Sequence, residues 1–187
     1  AASFVSRSTS VLLIDGAGAT WFDFDSGDQF DAAAPGGTTF AAVAGGATVE
    51  APDGVTFVVG ATRTLAAGAT TTILRVDDEG DLTAANLATA RAGAAATWVD
   101  GVGLVVTGGS TEGAGIEVLG SDDATAHALP FPASAVTGAG LVSIGESTAL
   151  RVGGVETLEG ADGEAAAPSA VLSLTCAIDC AFDDFPA

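Results

Sequence analysis

Apolar residues in this chain fall in short runs, such as 11–14, 55–59 and 102–106, separated by segments rich in Gly, Asp, Ser and Pro. Runs of this length, rich in Val, Leu, Ile, Thr and Phe and bounded by turn formers, predict β-strands. Residues 57–59 and 104–106 are apolar without alternation, which predicts strands buried on both faces, as between stacked sheets. Helix competes in the alanine-rich stretch 84–96, because Ala and Leu are strong helix formers. Thr89, Gly93 and Thr97 inside that stretch, and a strand-like copy of the Gly93 segment at Gly138, predict strand there instead.

The runs recur. Asp53-Gly54 followed by 55–59 returns 47 positions later as Asp100-Gly101 followed by 102–106, and Gly108-Gly109 returns 45 later as Gly153-Gly154. Gly138 to Val152 repeats Gly93 to Val106 in weaker form, which adds a third copy. Residues 11–14 followed by Asp15-Gly16 resemble 56–59 followed by Gly60, 44 positions on. That suggests a fourth unit, with its first strand short or missing. A period of this size means a repeat architecture, in which stacked units bury one another's apolar faces. The expected units are 1–37, 38–90, 91–135 and 136–175, with a C-terminal tail at 176–187.

Asn86-Leu-Ala-Thr-Ala-Arg91, Gly93 to Thr97, Asp100-Gly101, the valine run, Gly108-Gly109 and Ile116-Glu-Val118 resemble the bacterial kelch-like β-propeller repeat, the type also found in the central domain of galactose oxidase. The di-glycine after the second strand is that family's most specific mark. Phe22-Asp-Phe-Asp-Ser-Gly-Asp-Gln-Phe30 is similar to the family's segment joining the third and fourth strands, and 76–82 is a weaker version. The resemblance covers most of residues 8–175 and departs from the family in having no Tyr and only one di-glycine followed by Ser. It implies an all-β propeller of four-stranded kelch-like blades, with about four repeats. Asp53, Gly54, Asp100, Gly101, Gly108, Gly109, Gly153 and Gly154 would hold repeat-structural roles; paired glycines permit backbone conformations and close approaches that a Cβ obstructs. Four units could close a compact ring, or form about half of a larger ring completed by a second propeller chain, by a further copy, or by sequence of a longer propeller not present here. The little room before Ser10, and the liability of open sheet edges, favour the partial ring.

Charge narrows the function. The chain carries 24 acidic residues against five arginines and no lysine, a net charge of -19. Such a surface repels phosphate backbones and anionic membranes, so nucleic acid is excluded as a partner. Solubility accounts for the acidity, and a cationic partner is the alternative reading. No apolar run approaches the ~20 residues needed to span a bilayer. The chain opens Ala-Ala-Ser and has no Met, which reads as a processed N-terminus, and the composition suits a GC-rich bacterial source. Cys176 and Cys180, four residues apart, would lie roughly 13 Å apart along a strand, so a disulfide requires the chain to turn between them. A close pair with no other cysteine suits an exported protein in the periplasm, at the cell surface or outside the cell.

Catalytic machinery is sparse. His127 is the only histidine, so nucleophilic Ser-His or Cys-His chemistry would have to run through it, and Ser110, Ser143 and Ser173 lack a nucleophile-elbow context. Copper oxidases sharing the kelch-type propeller use tyrosine and histidine ligands, which this composition cannot supply. The absence of lysine removes the P-loop, and two thiols with one histidine do not complete a zinc site. Paired carboxylates remain available for glycoside-type hydrolysis, but the acidic residues cluster in turns, where Asp serves local backbone hydrogen bonds. Asp23, Asp25, Asp28 and Asp31 form the nearest approach to a calcium loop, without EF-hand order. The expected function is a non-catalytic, exported or surface propeller that binds a protein or glycan through the loops at one end. A carboxylate-dependent hydrolase or lyase, or a structural subunit completing a larger assembly, is the alternative.

Overall fold

A computed structural model describes residues 2–60, 68–109, 115–130, 136–157 and 164–174 of the 187-residue chain. Among them there is no α-helix, only a single 3-10 turn at Phe40–Ala42, and no helix long and apolar enough to cross a membrane. The first sheet is the antiparallel meander β1 (Ala2–Ser6), β2 (Ser10–Asp15), β3 (Ala19–Asp23) and β4 (Gln29–Asp31). The second is β5 (Ala47–Glu50), β6 (Thr56–Val59), β7 (Thr70–Val76) and β8 (Leu82–Arg91). The third is β9 (Ala95–Val99), β10 (Gly103–Thr107), β11 (Glu117–Leu119) and β12 (His127–Ala128).

The remaining strands are β13 (Val136–Thr137), β14 (Gly140–Gly145), β15 (Thr148–Val152), β16 (Val155–Thr157), β17 (Glu164–Ala166) and β18 (Ala170–Ser173). They pair as β13-β16-β17 and β14-β15-β18, yet both groups keep one register: Val136 faces Glu156 as Gly140 faces Val152, and Val155 faces Ala166 as Leu150 faces Val171. They are two halves of one three-stranded meander, interrupted where Gly138, Gly153 and Gly154 adopt positive φ.

Two local outcomes stand out against the sequence. The opening unit has a complete first strand, where a short or missing one was expected: β1 alternates buried Ser3 and Val5 with exposed Ala2, Phe4 and Ser6. Its pattern is faint because Ser occupies a buried position, donating to the carbonyls of Val43 and Gly46. The alanine-rich stretch is strand, with Ala85 and Leu87 of β8 buried. Packing between sheets overrides the helical preference of Ala.

Each sheet packs on the next. Val5, Leu12, Ile14 and Trp21 of the first sheet meet Val58, Leu74 and Val76 of the second. Phe57, Val59 and Ile73 meet Leu104, Val106 and Leu119 of the third, and Val99 and Val105 meet Ala149 and Leu172 of the fourth. Strands β6 and β10 are therefore buried on both faces, alternate side chains serving the preceding and following junctions. Each such Val, Leu or Phe contributes about 1.5–3 kcal/mol of burial. The first strands line up side by side, β1 against β5, β5 against β9 and β9 against β14. Four sheets thus radiate from a common line of inner strands. Among the described residues, no core cluster joins the fourth sheet back to the first.

Candidate functional site

In an antiparallel meander the first-to-second and third-to-fourth turns share one end, and here that end is common to all four sheets. Arg7, in the β1–β2 turn, donates to the carbonyls of Val76 and Asp77 at the β7–β8 turn, with distances of 2.7 Å from Nη2. Arg75, near the same turn, donates to the carbonyls of Gly120 and Asp123 in the third sheet. The amide of Ser147 in the fourth sheet donates to the carbonyl of Asp100. These links run turn to turn around the molecule.

This end is densely acidic. Asp25 and Asp28 lie in the β3–β4 turn, Asp53 in the β5–β6 turn, and Asp77, Asp78, Glu79 and Asp81 in the β7–β8 turn. Asp100, Asp122, Asp123 and Glu146 occupy the corresponding turns of the third and fourth sheets. Local chemistry accounts for the acids. The Asp23 carboxylate accepts from the amides of Ser26 at 2.8 Å and Asp25 at 2.9 Å, and Gly27 closes the turn at φ 76°. Hydrogen bonds from Ser26, backbone first, hold the Asp23 carboxyl below its ordinary range. Asp77 accepts from the amide of Asp81, and Asp53 from that of Val55. Asp78 and Glu79 share a side-chain hydrogen bond that lowers the pKa of Asp78 and raises that of Glu79.

Arg7 acts on Asp78 and Arg75 on Asp122 and Asp123, so the described cations at this end offset part of its charge from half-buried positions. None of the four described arginines is exposed: Arg7 and Arg75 are half-buried clamps, and Arg91 and Arg151 are buried. Arg75 also lies over the Phe57 ring, 5.6 Å from its centroid, and Phe57 stacks on Trp98 at 6.0 Å. Two hollows open on the acidic end. One, of about 500 Å³, sits where the inner strands finish and is lined by Glu50, Pro52, Trp98, Asp100 and Ser143. The other, of about 460 Å³, lies between the first two sheets, with Arg7, Trp21, Phe30, Asp78 and Glu79 in its wall. Phe24 and Phe30 beside it are exposed at 66% and 55%.

The opposite end is glycine-rich. Gly108 and Gly109 follow β10 at φ 70° and 108°, and Gly153 and Gly154 follow β15 at 64° and 97°. A Cβ on Gly154 would lie 2.6 Å from a Val136 methyl. Beneath this end Arg91, fully buried, donates to the carbonyl of Gly108 and to Glu117 Oε1, both at 2.7 Å, while Glu117 also accepts the amides of Ala88 and Thr89. The pair staples the last strand of the second sheet into the third.

The structure distributes the residues singled out by the sequence as follows. Asp53-Gly54 and Asp100-Gly101 sit in first-to-second turns, with Gly54 at φ 86° and Gly101 at φ 79°. His127 is exposed on β12, the outermost strand of the third sheet. Asp23, Asp25, Asp28 and Asp31 are not brought together as metal ligands; among the described residues the acidic group within such reach is Asp77, Asp78 and Glu79. Cys176, Cys180 and Ser110 lie outside the described residues. Sequence reasoning missed Arg7, Arg75, Glu117 and Trp98. In a chain with five cations, the scarcity of arginine was itself the available signal.

No protein-family model matches the sequence, and no curated protein matches it. By structure the chain is similar to YjhT, at 14% identity and TM-score 0.58, covering 93% of this chain and 66% of that one. It is also similar to virginiamycin B lyase from Staphylococcus aureus, at 12% identity and TM-score 0.53 over 89% of this chain and 54% of that one. TolB from Acinetobacter baumannii aligns at 14% identity and TM-score 0.50, over 95% of this chain and 42% of TolB. The fold is a β-propeller. At these identities the likeness concerns the propeller scaffold alone. The chain spans less than two thirds of the length of each of these propellers.

Proposed function

We propose that this propeller, of kelch-like type, is a non-catalytic binding module, exported or displayed at a bacterial surface, whose acidic end engages a protein or glycan. One observation carries the reading: the acidic end combines turn carboxylates in excess of its half-buried arginines with exposed aromatic side chains, Phe24 and Phe30. Aromatic residues are enriched in protein interfaces, and a single-sign field steers partners of opposite charge. A cationic protein surface therefore fits this end better than a neutral glycan. The carboxylates of Asp23, Asp53 and Asp77 accept from amides of their own turns, which supports a surface role over a reactive one for them.

Titration with lysine-rich peptides and with neutral oligosaccharides tests it. Binding to the peptides should weaken about tenfold or more in Phe24→Ser/Phe30→Ser, a variant that keeps every charge. Equal binding by that variant would reduce the effect to general charge attraction and sink the proposal. A hydrolase or lyase is the second reading, favoured by the opposed pKa shifts of Asp78 and Glu79 beside the hollow between the first two sheets. The two carboxyls share a hydrogen bond, rather than standing roughly 5–9.5 Å apart across a scissile bond. The binding reading is therefore preferred.

A further inference from the structure

Among the described residues, two sheet faces with exposed apolar side chains lie open, one at each end of the row of sheets. On the fourth sheet, Val142, Ile144 and Val152 are 49%, 53% and 49% exposed, and Val171 is 39% exposed. Register places Val142 beside Leu150 and Leu150 beside Val171, so these residues share the face turned away from the third sheet. Gly140, Val142, Ile144, Thr148, Leu150, Val152 and Val171, the described outward positions of β14, β15 and β18, include no charge. On the first sheet, Phe4 pairs with Leu13 and Val11 with Phe22 on the face turned away from the second sheet, Phe4 is 59% exposed, and Asp15 and Asp31 flank this apolar centre on the same face. In a chain of net charge -19, an uncharged aliphatic sheet face like that of the fourth sheet marks an interaction surface.

We propose that a second copy of this chain covers both faces, the fourth sheet of each copy packing on the first sheet of the other to form a closed two-chain ring of eight sheets. Three features support that occupant. The outward face of the fourth sheet is the one that each earlier sheet presents to its successor, and the outward face of the first sheet is the one that each later sheet presents to its predecessor. The new junction repeats a packing the chain already makes three times. Both halves of the junction are carried by one chain, so a twofold arrangement satisfies every open face at once. Eight sheets fall within the blade numbers of propellers, whereas three copies would give twelve. Acidic-end binding does not depend on this closure, so either can fail alone.

The test is the solution mass of the full chain across about 1–100 μM, by sedimentation or native mass spectrometry. The expected result is a two-chain mass that tightens as salt is raised, because screening relieves repulsion between two strongly negative chains. Ile144→Glu and Phe4→Glu each place a charge in a junction from an exposed position, so folding, checked by circular dichroism, is retained. Each should weaken association about 100-fold or more when studied alone. Mixing the two variants leaves one unmodified junction per pair, fourth sheet of Phe4→Glu against first sheet of Ile144→Glu, and should restore a two-chain species. Asp53→Asn, on the acidic end, should leave the mass unchanged. A one-chain mass at every concentration overturns the proposal. So does a two-chain mass that persists in either charged variant alone, because a like-with-like junction would use only one of the faces.

Discussion

At the scale of single residues, the buried Arg91–Glu117 pair carries the sharpest consequence, since both side chains are essentially inaccessible to water. Removing the cation leaves a buried carboxylate with only two backbone donors, so Arg91→Met should cost about 3–5 kcal/mol in denaturant unfolding. Arg91→Met/Glu117→Gln should recover part of that loss, because a neutral amide oxygen can still accept one of the two backbone amides. The turn carboxylates make a second prediction, in pH. Asp15 and Asp23 are held below the ordinary value of 3.8, by the amides of Ala17 and Gly18 for the former and chiefly by Ser26 for the latter. Depressed carboxyls contribute stability above their unfolded pKa and lose it as pH falls through the folded value. Glu79 has the opposite sign: its carboxyl is raised, and its contribution fades as pH rises through the folded value. Carboxyl NMR titration should find Asp15 and Asp23 titrating below, and Glu79 above, ordinary carboxylates. The Asp-Gly turns were visible in the sequence because their chemistry is local. Glu117, 26 positions from Arg91, was not, because nothing local marks a partner across two sheets.

Within the elements, glycine separates into obligatory and replaceable positions. A Cβ on Gly46 would lie 1.8 Å from the Gly60 carbonyl oxygen, and on Gly103, at φ 111°, 2.5 Å from that of Leu119. Gly103→Ala adds overpacking to backbone strain and should cost about 2 kcal/mol or more. Gly18→Ala, with nothing within 4 Å and no positive φ, should fall within about 0.5 kcal/mol of wild type. Thermal or urea unfolding of the two variants side by side checks the contrast. Sequence periodicity pointed to glycine doublets but could not rank them, because the ranking depends on which carbonyl of another strand arrives opposite. The same dependence hid β1: Ser3 is buried because Val43 and Gly46, some 40 residues on, accept its hydroxyl.

Over the whole molecule, the described arginines are half-buried or buried, whereas the turn carboxylates are mostly exposed. Arg7, Arg75 and Arg91 tie sheets together from half-buried or buried positions, leaving the turn end with an acidic excess and apolar side chains exposed on the outer faces of the first and last sheets. Acidic-end binding to a cationic partner should weaken with salt, whereas self-association through the apolar faces should strengthen. Opposite salt slopes in the two measurements would identify two separate surfaces. Intact-mass measurement with and without reductant addresses the tail: the expected Cys176–Cys180 bond makes the untreated chain two hydrogens lighter.

The sequence alone determined the strand-and-turn grammar, the repeat of about 45 residues and the sign of the surface, because each arises from neighbouring residues or from composition. Tertiary structure decided where the few arginines go, which glycines admit no side chain, and which apolar faces are left open. Those outcomes depend on groups tens of residues apart meeting across a sheet junction, and no local pattern encodes the meeting.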